Sequence, residues 1–303
     1  MENILSGAII GFMVEVLIQG LLYGLMSMGV MMSYKVLDFA DLSVDGTFPL
    51  GGAVSAILIT MGVNPWLALL VSLVAGLVAG FMTGFFHVKL GIAGLLSGIL
   101  VMTGLYSVNL WVTGGLPNVP IYKEANLFST EWLVDLNLPG WLISNYKLIV
   151  MILLVLVVKL VIDWLLRTKV GYLMKVTGDN ESLVTSLGHS VGAVKILGLS
   201  ISNGIVALSG GVAVSVSRYY DITSGTGMVV LGLSSVILGT MLLSKLRIKQ
   251  TTMVIAGSIM YRFIVALALW QGMEPRNMKL MTVIIFVAAI LLNRFVSGKQ
   301  EVI

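Results

Sequence analysis

The segment "YKLIVMILLVLVVKLVIDWLL", residues 146–166, decides the fold class of this chain. Its charged side chains are Lys147, Lys159 and Asp163, and everything between the two lysines is apolar. An apolar run of roughly 20 residues is the length that an α-helix needs to cross the hydrocarbon core of a bilayer. The segment therefore predicts a membrane-spanning helix.

The whole chain has the composition of a protein built from such helices. Of its 303 residues, 58% are hydrophobic and 11% are charged, whereas a soluble domain carries about 25% charged residues. So few charges could not cover a water-facing surface around that much apolar side chain. We therefore expect a polytopic membrane protein whose surroundings are the lipid bilayer.

Charged residues and turns divide the chain into apolar runs, which together predict an all-α fold. We expect a single transmembrane domain over residues 1–303 with about eight or nine transmembrane segments. Two of the runs, 47–61 and 228–243, are short for a crossing and contain glycines, so short broken or re-entrant helices are expected there. The runs lie near 8–33, 47–61, 66–86, 91–112, 146–166, 193–216, 228–243, 251–271 and 279–293.

The distribution of Lys and Arg among the loops predicts the orientation. Loops 34–46, 87–90, 167–192 and 244–250, the C-terminal tail and Lys195 hold eleven basic residues, against five on the other side. Short loops rich in Lys and Arg face the cytoplasm. The N-terminus is therefore expected outside and the C-terminus inside, with 167–192 a cytoplasmic loop and 113–147 an extracytoplasmic segment.

Several classes of protein chemistry find no support in the residues. The chain has no cysteine, and its histidines, His87 and His189, are isolated, so no metal site is expected. The LSGG within 207–213 resembles part of an ATPase signature, but no GxxxxGK[ST] exists to hold phosphates. No catalytic constellation and no basic patch for nucleic acid is present. We expect neither an enzyme nor a nucleic-acid-binding protein, and no cofactor in this chain.

Two similar segments predict where a pathway would run. "DLSVDGTFPLGGAVSAIL" (41–58) and "DITSGTGMVVLGLSSVIL" (221–238) share an acidic start, a Ser/Thr/Gly stretch and an apolar helix, and they enter from opposite sides. Interrupted helices in an inverted repeat mark the central pathway of many transporters, although chance similarity between glycine-rich spans is the alternative. The predicted pathway residues are Asp45, Gly46, Thr47, Phe48, Gly225 and Gly227.

Acidic residues in the first of these segments also have a simpler explanation. Asp45-Gly46-Thr47 is a favourable sequence for the start of a helix, so Asp45 is expected to cap the short helix that follows.

Two ionisable residues inside apolar runs are candidate substrate contacts. Glu15 could meet a cationic group and Arg262 could bind a carboxylate in bidentate fashion. Glu15 could equally lie at the outer interface, and Arg262 could pair with an acid of the protein.

Glycines repeat every four residues at Gly76, Gly80 and Gly84, and a shorter repeat joins Gly20 and Gly24. Such repeats let helix backbones approach closely in lipid. We expect them to serve packing.

The polar stretch "GDNESLVTSLGHS", residues 178–190, interrupts the apolar pattern. Gly178 is expected to break the preceding structure, Asp179 or Asn180 to cap a two-turn helix, and Gly188 to end it in the left-handed region. Leu183, Val184 and Leu187 would form its apolar face. A helix this short has no stability of its own in water, so this face is expected to dock on something, either a partner or the chain itself.

This loop resembles the cytoplasmic loop of ABC-importer permeases of the branched-chain amino-acid and ribose type. The shared order is Arg167-Thr168, Gly171, Lys175, Gly178, a short polar helix, Leu187-Gly188 and a return into "VKILGLSISNGIVALSGGVA" (194–213). The resemblance also covers "LDFADLSVDGTFPLGGA" (37–53) and "LGLSSVILGTML" (231–242), and so nearly the whole chain.

The resemblance implies a function and a set of partners. In such permeases the short helix is a coupling helix that rests in a groove of the cytoplasmic ATPase. By resemblance, the coupling residues here are Gly178, Asp179, Asn180, Glu181, Ser182, Leu183, Val184, Leu187 and Gly188. The implied assembly is a permease homodimer in a bacterial cell membrane. Two ABC ATPase subunits bind ATP and Mg²⁺ on one side, and an extracytoplasmic substrate-binding protein docks on the other.

One departure from the family pattern bears on the substrate. Asp38 stands where many members have Asn before Phe39-Ala40, and "DLSVDGTFP" replaces the usual turn. This variant looks like permeases grouped with tryptophan/tyrosine-type binding proteins, so the resemblance implies import of an amino acid of aromatic or branched-chain type. The alternative function is an ion-coupled secondary transporter, which would need acids in mid-membrane.

Overall fold

The computed structural model describes residues 2–130, 140–246 and 248–297, and most of these residues are helical. Seven of the described helices are long and apolar enough to cross a membrane, and two shorter apolar helices accompany them. Each of the nine predicted runs is a helix, so the all-α polytopic prediction is confirmed.

The first helices are α1 (Glu2–Met31), continued by a π-helical turn (Met32–Val36), α2 (Val44–Thr60), α3 (Pro65–Val88), α4 (Gly94–Val112) and α5 (Gly140–Leu165). Two helices of the polar loop follow, α6 (Lys169–Asp179) and α7 (Glu181–Ser186). The last four are α8 (Val191–Ser217), α9 (Met228–Leu243), α10 (Gln250–Trp270) and α11 (Met278–Ser297). Two 3₁₀ turns, Ile222–Gly225 and Pro275–Asn277, precede α9 and α11.

The bundle has two ends, which we call the α7 face and the opposite face. At the α7 face, the ring of Phe39 lies 5.2 Å from that of His87, and the start of α10 meets the end of α5 where Lys249 binds Asp163 at 2.8 Å. At the opposite face, two short strands pair antiparallel, β1 (Asn118–Pro120) and β2 (Tyr219–Asp221).

The strand pair was not predicted, and it fastens part of the predicted outer segment 113–147 to the end of α8. Tyr220 of β2 is buried, and this burial raises the pKa of its phenol well above the usual range, so the hydroxyl stays protonated. Residues 131–139 of the outer segment lie outside the described residues.

The most buried element is α8, in which every residue of 202–212 is buried. Glycines of α3 pack directly on it. A Cβ added at Gly84 would lie 2.7 Å from the Cα of Ile196, and Cβ atoms at Gly76 and Gly80 would collide with the α8 backbone. The prediction that this glycine repeat serves close packing is confirmed.

The shorter glycine repeat of α1 packs in the same way on α10. A Cβ at Gly20 would lie 2.8 Å from the Cα of Ile259, and one at Gly24 would lie 2.9 Å from the Oγ of Ser258.

The polar loop 167–192 is more helical than predicted. Gly178 does not break the structure, because it lies inside α6. A Cβ at this position would meet the carbonyl oxygen of Val36 at 2.5 Å. Because Gly178 has no side chain, α6 can pack against the π-helical turn that continues α1, and this packing holds the loop on the body of the protein.

Candidate functional site

The connection between α1 and α2 turns back into the bundle. Asp41 and Ser43 are both buried, and the Asp41 carboxylate accepts hydrogen bonds from the Ser43 N–H at 2.8 Å and from the Asn203 Nδ2 at 2.6 Å. Asn203 is the thirteenth residue of the 27-residue α8, about 18 Å from its start. The start of α2 therefore lies near mid-height of α8.

Helix α9 begins beside the start of α2. The Asp45 carboxylate accepts hydrogen bonds from the N–H groups of Gly227 at 2.8 Å and of Val229 at 2.9 Å. Asp45 was expected to cap its own helix, and that expectation is wrong: α2 starts after Ser43 without a side-chain cap. The carboxylate instead satisfies free N–H groups at the start of α9.

From this junction the two helices run in opposite directions. In the middle of α2, a Cβ added at Gly52 would lie 3.2 Å from the Tyr220 ring at the opposite face. In α9, a Cβ at Gly239 would collide with the Met253 carbonyl in the first turn of α10, at the α7 face. Opposed directions from a shared point are what an inverted repeat requires.

All six predicted pathway residues lie at this junction. Gly225 packs so closely on Asp45 that an added Cβ would collide with the Asp45 carbonyl oxygen. Gly227 is the N-cap of α9 and has a positive φ of 85°. Gly46 packs on α4, where its added Cβ would lie 2.9 Å from the Cα of Met102. The buried Thr47 hydroxyl bonds the Ser43 carbonyl within the same turn. These five residues build the junction rather than line open space.

The sixth residue, Phe48, borders a cavity of about 390 Å³ between the junction and the opposite face. Ser224 and Met228 line the cavity on the α9 side, and Glu15 and Gln19 line it on the α1 side. The cavity thus leads from the opposite face down to the point where α2 and α9 begin.

A second cavity, of about 300 Å³, lies between α1, α10 and the start of α11. Glu15, Gln19 and Arg262 line it, so the two predicted substrate contacts share one cavity. The Arg262 guanidinium lies 4.0 Å over the Tyr23 ring. Glu15 is half-exposed, accepts a hydrogen bond from Gln19 at 3.1 Å, and pairs loosely with Lys147 at 3.7 Å. The alternative for Arg262, pairing with an acid of the protein, is not found among the described residues.

Helix α7 forms as predicted in the polar loop. The Asn180 side chain caps it by accepting hydrogen bonds from the N–H groups of Ser182 and Leu183. Asp179 is the last residue of α6 and does not cap. Glu181 pairs with Lys195 at 2.6 Å, which ties the start of α7 to α8.

The two sides of α7 differ in exposure. Val184 is fully buried, so it anchors the helix on the chain, whereas Leu183 is 47% exposed and Leu187 60% exposed. Gly188 follows with φ 77°, as predicted. The structure therefore leaves an unburied apolar pair on the α7 face, four residues apart on one side of a capped helix.

The sequence did not single out two residues that hold other residues of the site in place. Asn203 holds the Asp41 loop, and its amide inside an apolar run was a signal that could have marked it. The other is Tyr23, whose ring makes a cation–π contact with the Arg262 guanidinium. At the end of α5, Lys159 pairs with Asp163 at 2.8 Å, and the further partners of Asp163 are Lys249 and Thr251.

Comparison with known proteins finds a matching family and two similar relatives. Residues 12–290 match a family model described as branched-chain amino acid transport system / permease component. A tyrosine transport system permease protein of Clostridioides difficile (strain R20291) is 39% identical over 276 residues, which cover 91% of this chain and 89% of the relative.

An uncharacterized protein of Rickettsia prowazekii (strain Madrid E) is 31% identical over 267 residues, 86% of this chain and 90% of the relative. No solved structure matches the chain. The family model spans the junction, both cavities and α7. The chain therefore belongs to the family of permease components of branched-chain amino acid transport systems.

Proposed function

We propose that this chain is the membrane-spanning subunit of an ATP-driven importer for an amino acid with an aromatic or branched apolar side chain. The family and the tyrosine transport relative support the substrate class. The substrate passes through the cavity that ends at the junction of α2 and α9. In this proposal the assembly lies in a bacterial cell membrane, with the N-terminus outside and the C-terminus in the cytoplasm.

The observation that carries the proposal is the exposed leucine pair on α7. Leu183 and Leu187 stay exposed although Val184 of the same short helix is buried. An apolar pair on a polar loop is costly in water and favourable in a groove of a partner. Two ATPase subunits, which bind ATP and Mg²⁺, supply such grooves, one for each copy of a permease homodimer.

The contacts of α7 would transmit a movement of the ATPase subunits to the α2–α9 junction. Glu181 is bound to Lys195 at the start of α8, and α6 packs on Val36 at the end of α1 through Gly178. Helices α1 and α8 flank the α2–α9 junction, so a movement of α7 shifts both of its walls. An extracytoplasmic substrate-binding protein would deliver the amino acid at the opposite face, near the paired strands.

The experiment that tests this function replaces the leucine pair. The L183D/L187D variant is expected to lose co-purification of the ATPase and at least about tenfold of L-tyrosine uptake, because two charges would enter an apolar groove. The matched control is L246D, a leucine that is 54% exposed between α9 and α10 at the same face. It should keep both properties.

Unchanged assembly and uptake in the L183D/L187D variant would contradict the proposal. Uptake that survives removal of the ATPase but collapses with the ion gradient would instead favour an ion-coupled secondary transporter.

A further inference from the structure

Arg262 carries a charge that the described part of the protein leaves without a polar partner. Its Nε is buried and makes no hydrogen bond, and the guanidinium forms no ion pair with a described residue. The ring of Tyr23 stabilises the cation from one side only. A buried N–H without an acceptor is unfavourable, so an acceptor that entered the cavity of about 300 Å³ that Arg262 lines would stabilise this side chain, and an anion would also neutralise its charge.

The opposite charge lies in the wall of the same cavity. Glu15 and Arg262 both line it but form no ion pair with each other. The pairing of Glu15 with Lys147 is long, at 3.7 Å, and its side chain is 52% exposed. Exposed pairs of this kind contribute little, so a cationic group in the cavity can compete for the Glu15 carboxylate.

The remaining wall is apolar and includes two aromatic side chains. Val265, Leu269, Trp270 and Met278 line it together with Phe12. A ligand that fits must therefore combine a carboxylate, a cation close to it and a bulky apolar group. A phospholipid headgroup without an amine would satisfy Arg262 but would bring no cation for the Glu15 carboxylate, and a sugar would find few hydrogen-bonding groups in this wall.

We propose that this cavity is an amino-acid site within the permease itself. The ligand is a zwitterionic α-amino acid with an aromatic or large apolar side chain: its carboxylate binds Arg262, its ammonium binds Glu15, and its side chain lies on the apolar wall. Glu15 and Gln19 also line the cavity of about 390 Å³ that ends at the α2–α9 junction. The site therefore stands beside the route to the junction. This inference rests on the proposed function for the class of substrate.

The test measures binding of radiolabelled L-tyrosine to the purified permease, without ATPase or binding protein, in phosphatidylcholine nanodiscs. Wild-type protein is expected to bind saturably, with L-tryptophan and L-leucine as competitors. R262M should weaken binding roughly 10- to 100-fold, because a charge-assisted bidentate contact is lost, and R262K should be intermediate. The control is R276Q. Arg276 lies just before α11, its side chain is 78% exposed, and it is paired with Glu274.

Two analogues separate the charges and report on folding. Tyramine, which lacks the carboxylate, should bind wild type and R262M equally. The acid 3-(4-hydroxyphenyl)propionate, which lacks the ammonium, should bind wild type and E15Q equally. If R262M fails to fold, E15Q, at a half-exposed position, carries the test with the same analogues and should weaken L-tyrosine binding.

Absence of saturable binding by all three amino acids, or an affinity for L-tyrosine that R262M or a folded E15Q leaves unchanged, would overturn the inference. Its failure is distinguishable from failure of the proposed function. ATP-driven uptake with an unaltered KM in R262M would reject the site alone. Binding that depends on Arg262, together with full uptake by the L183D/L187D variant, would reject ATPase coupling alone.

Discussion

The carboxylate of Asp45 accepts a hydrogen bond at 2.8 Å from the backbone N–H of Gly227, although 182 residues separate the two in sequence. One side chain in the first turn of α2 thereby holds the first turn of α9. Both helices begin inside the bundle, and the positive ends of their dipoles converge on this carboxylate. The contact is the point at which the two halves of the chain are joined in the middle of the fold.

Removal of this carboxylate should loosen the junction. D45A leaves the N–H groups of Gly227 and Val229 without an acceptor, and we expect a loss of about 1–2 kcal/mol in the free energy of unfolding, as for other helix caps. Thermal unfolding in detergent measures the stability, and uptake by cells measures the function.

The control for this change lies in the same loop. Asp38 is exposed and has a positive φ of 51°, a conformation that asparagine also tolerates, so D38N should be neutral. Equal stability of D45A and the wild type would show that the Asp45 contacts do not hold the junction.

Close packing of α2 on α8 predicts a second effect. A Cβ at Gly210 would collide with the carbonyl oxygen of Phe48, which cannot move without shifting α2. We expect G210A to destabilise the protein by roughly 1–3 kcal/mol, the usual cost of overpacking, as measured by the midpoint of thermal unfolding.

The matched change is G104A in α4, where an added Cβ meets nothing within 4 Å. Alanine is the better helix former by about 0.5–1 kcal/mol, so G104A should be neutral or slightly stabilising. A stable G210A variant would contradict the packing of these helices.

The amide of Asn203 supports the loop that leads into α2. Its Nδ2 donates to Asp41 at 2.6 Å in a fully buried setting. N203L should cost roughly 1.5–3 kcal/mol, because a buried carboxylate loses a donor. Differential scanning fluorimetry measures this loss.

One turn away on the same helix, the Ser200 hydroxyl donates only to the carbonyl of Ile196 within α8. S200A is therefore expected to change stability by less than about 0.5 kcal/mol. A loss in S200A equal to that in N203L would mean that the Asp41 contact is not the cause.

Local chemistry explains what the sequence predicted correctly. The nine apolar runs are helices because a helix pairs its backbone N–H and C=O groups within one segment, as a lipid environment requires. The cap of α7 at Asn180 and its end at Gly188 were predicted because both depend only on neighbouring residues. Glu15 and Arg262 were singled out as charges in apolar runs, and the structure places both in one cavity.

Contacts across the fold explain what the sequence could not predict. Asp45 has the local pattern of a cap for α2, and only the tertiary position of α9 makes it a cap for that helix. Gly178 has the local pattern of a helix breaker, and only its contact with the Val36 carbonyl shows that it serves packing. The bond between Lys249 and Asp163 spans 86 residues and joins two helices whose adjacency no periodicity encodes.

We propose that the substrate passes through the cavity above the α2–α9 junction and that ATP turnover by a partner closes this cavity. Ser224 lines this cavity, and the chain has no cysteine, so S224C provides a single thiol in it. A membrane-impermeant maleimide should label S224C from outside intact cells. The exposed Ser244, at the α7 face, gives the control S244C, which should be labelled only in inside-out vesicles.

The decisive measurement is the labelling rate of S224C in the complete transporter before and after trapping with ATP and vanadate. We predict fast labelling from the outside in the resting state and strong protection after trapping. A rate that trapping leaves unchanged, or labelling of S224C only from the side that labels S244C, would contradict the account.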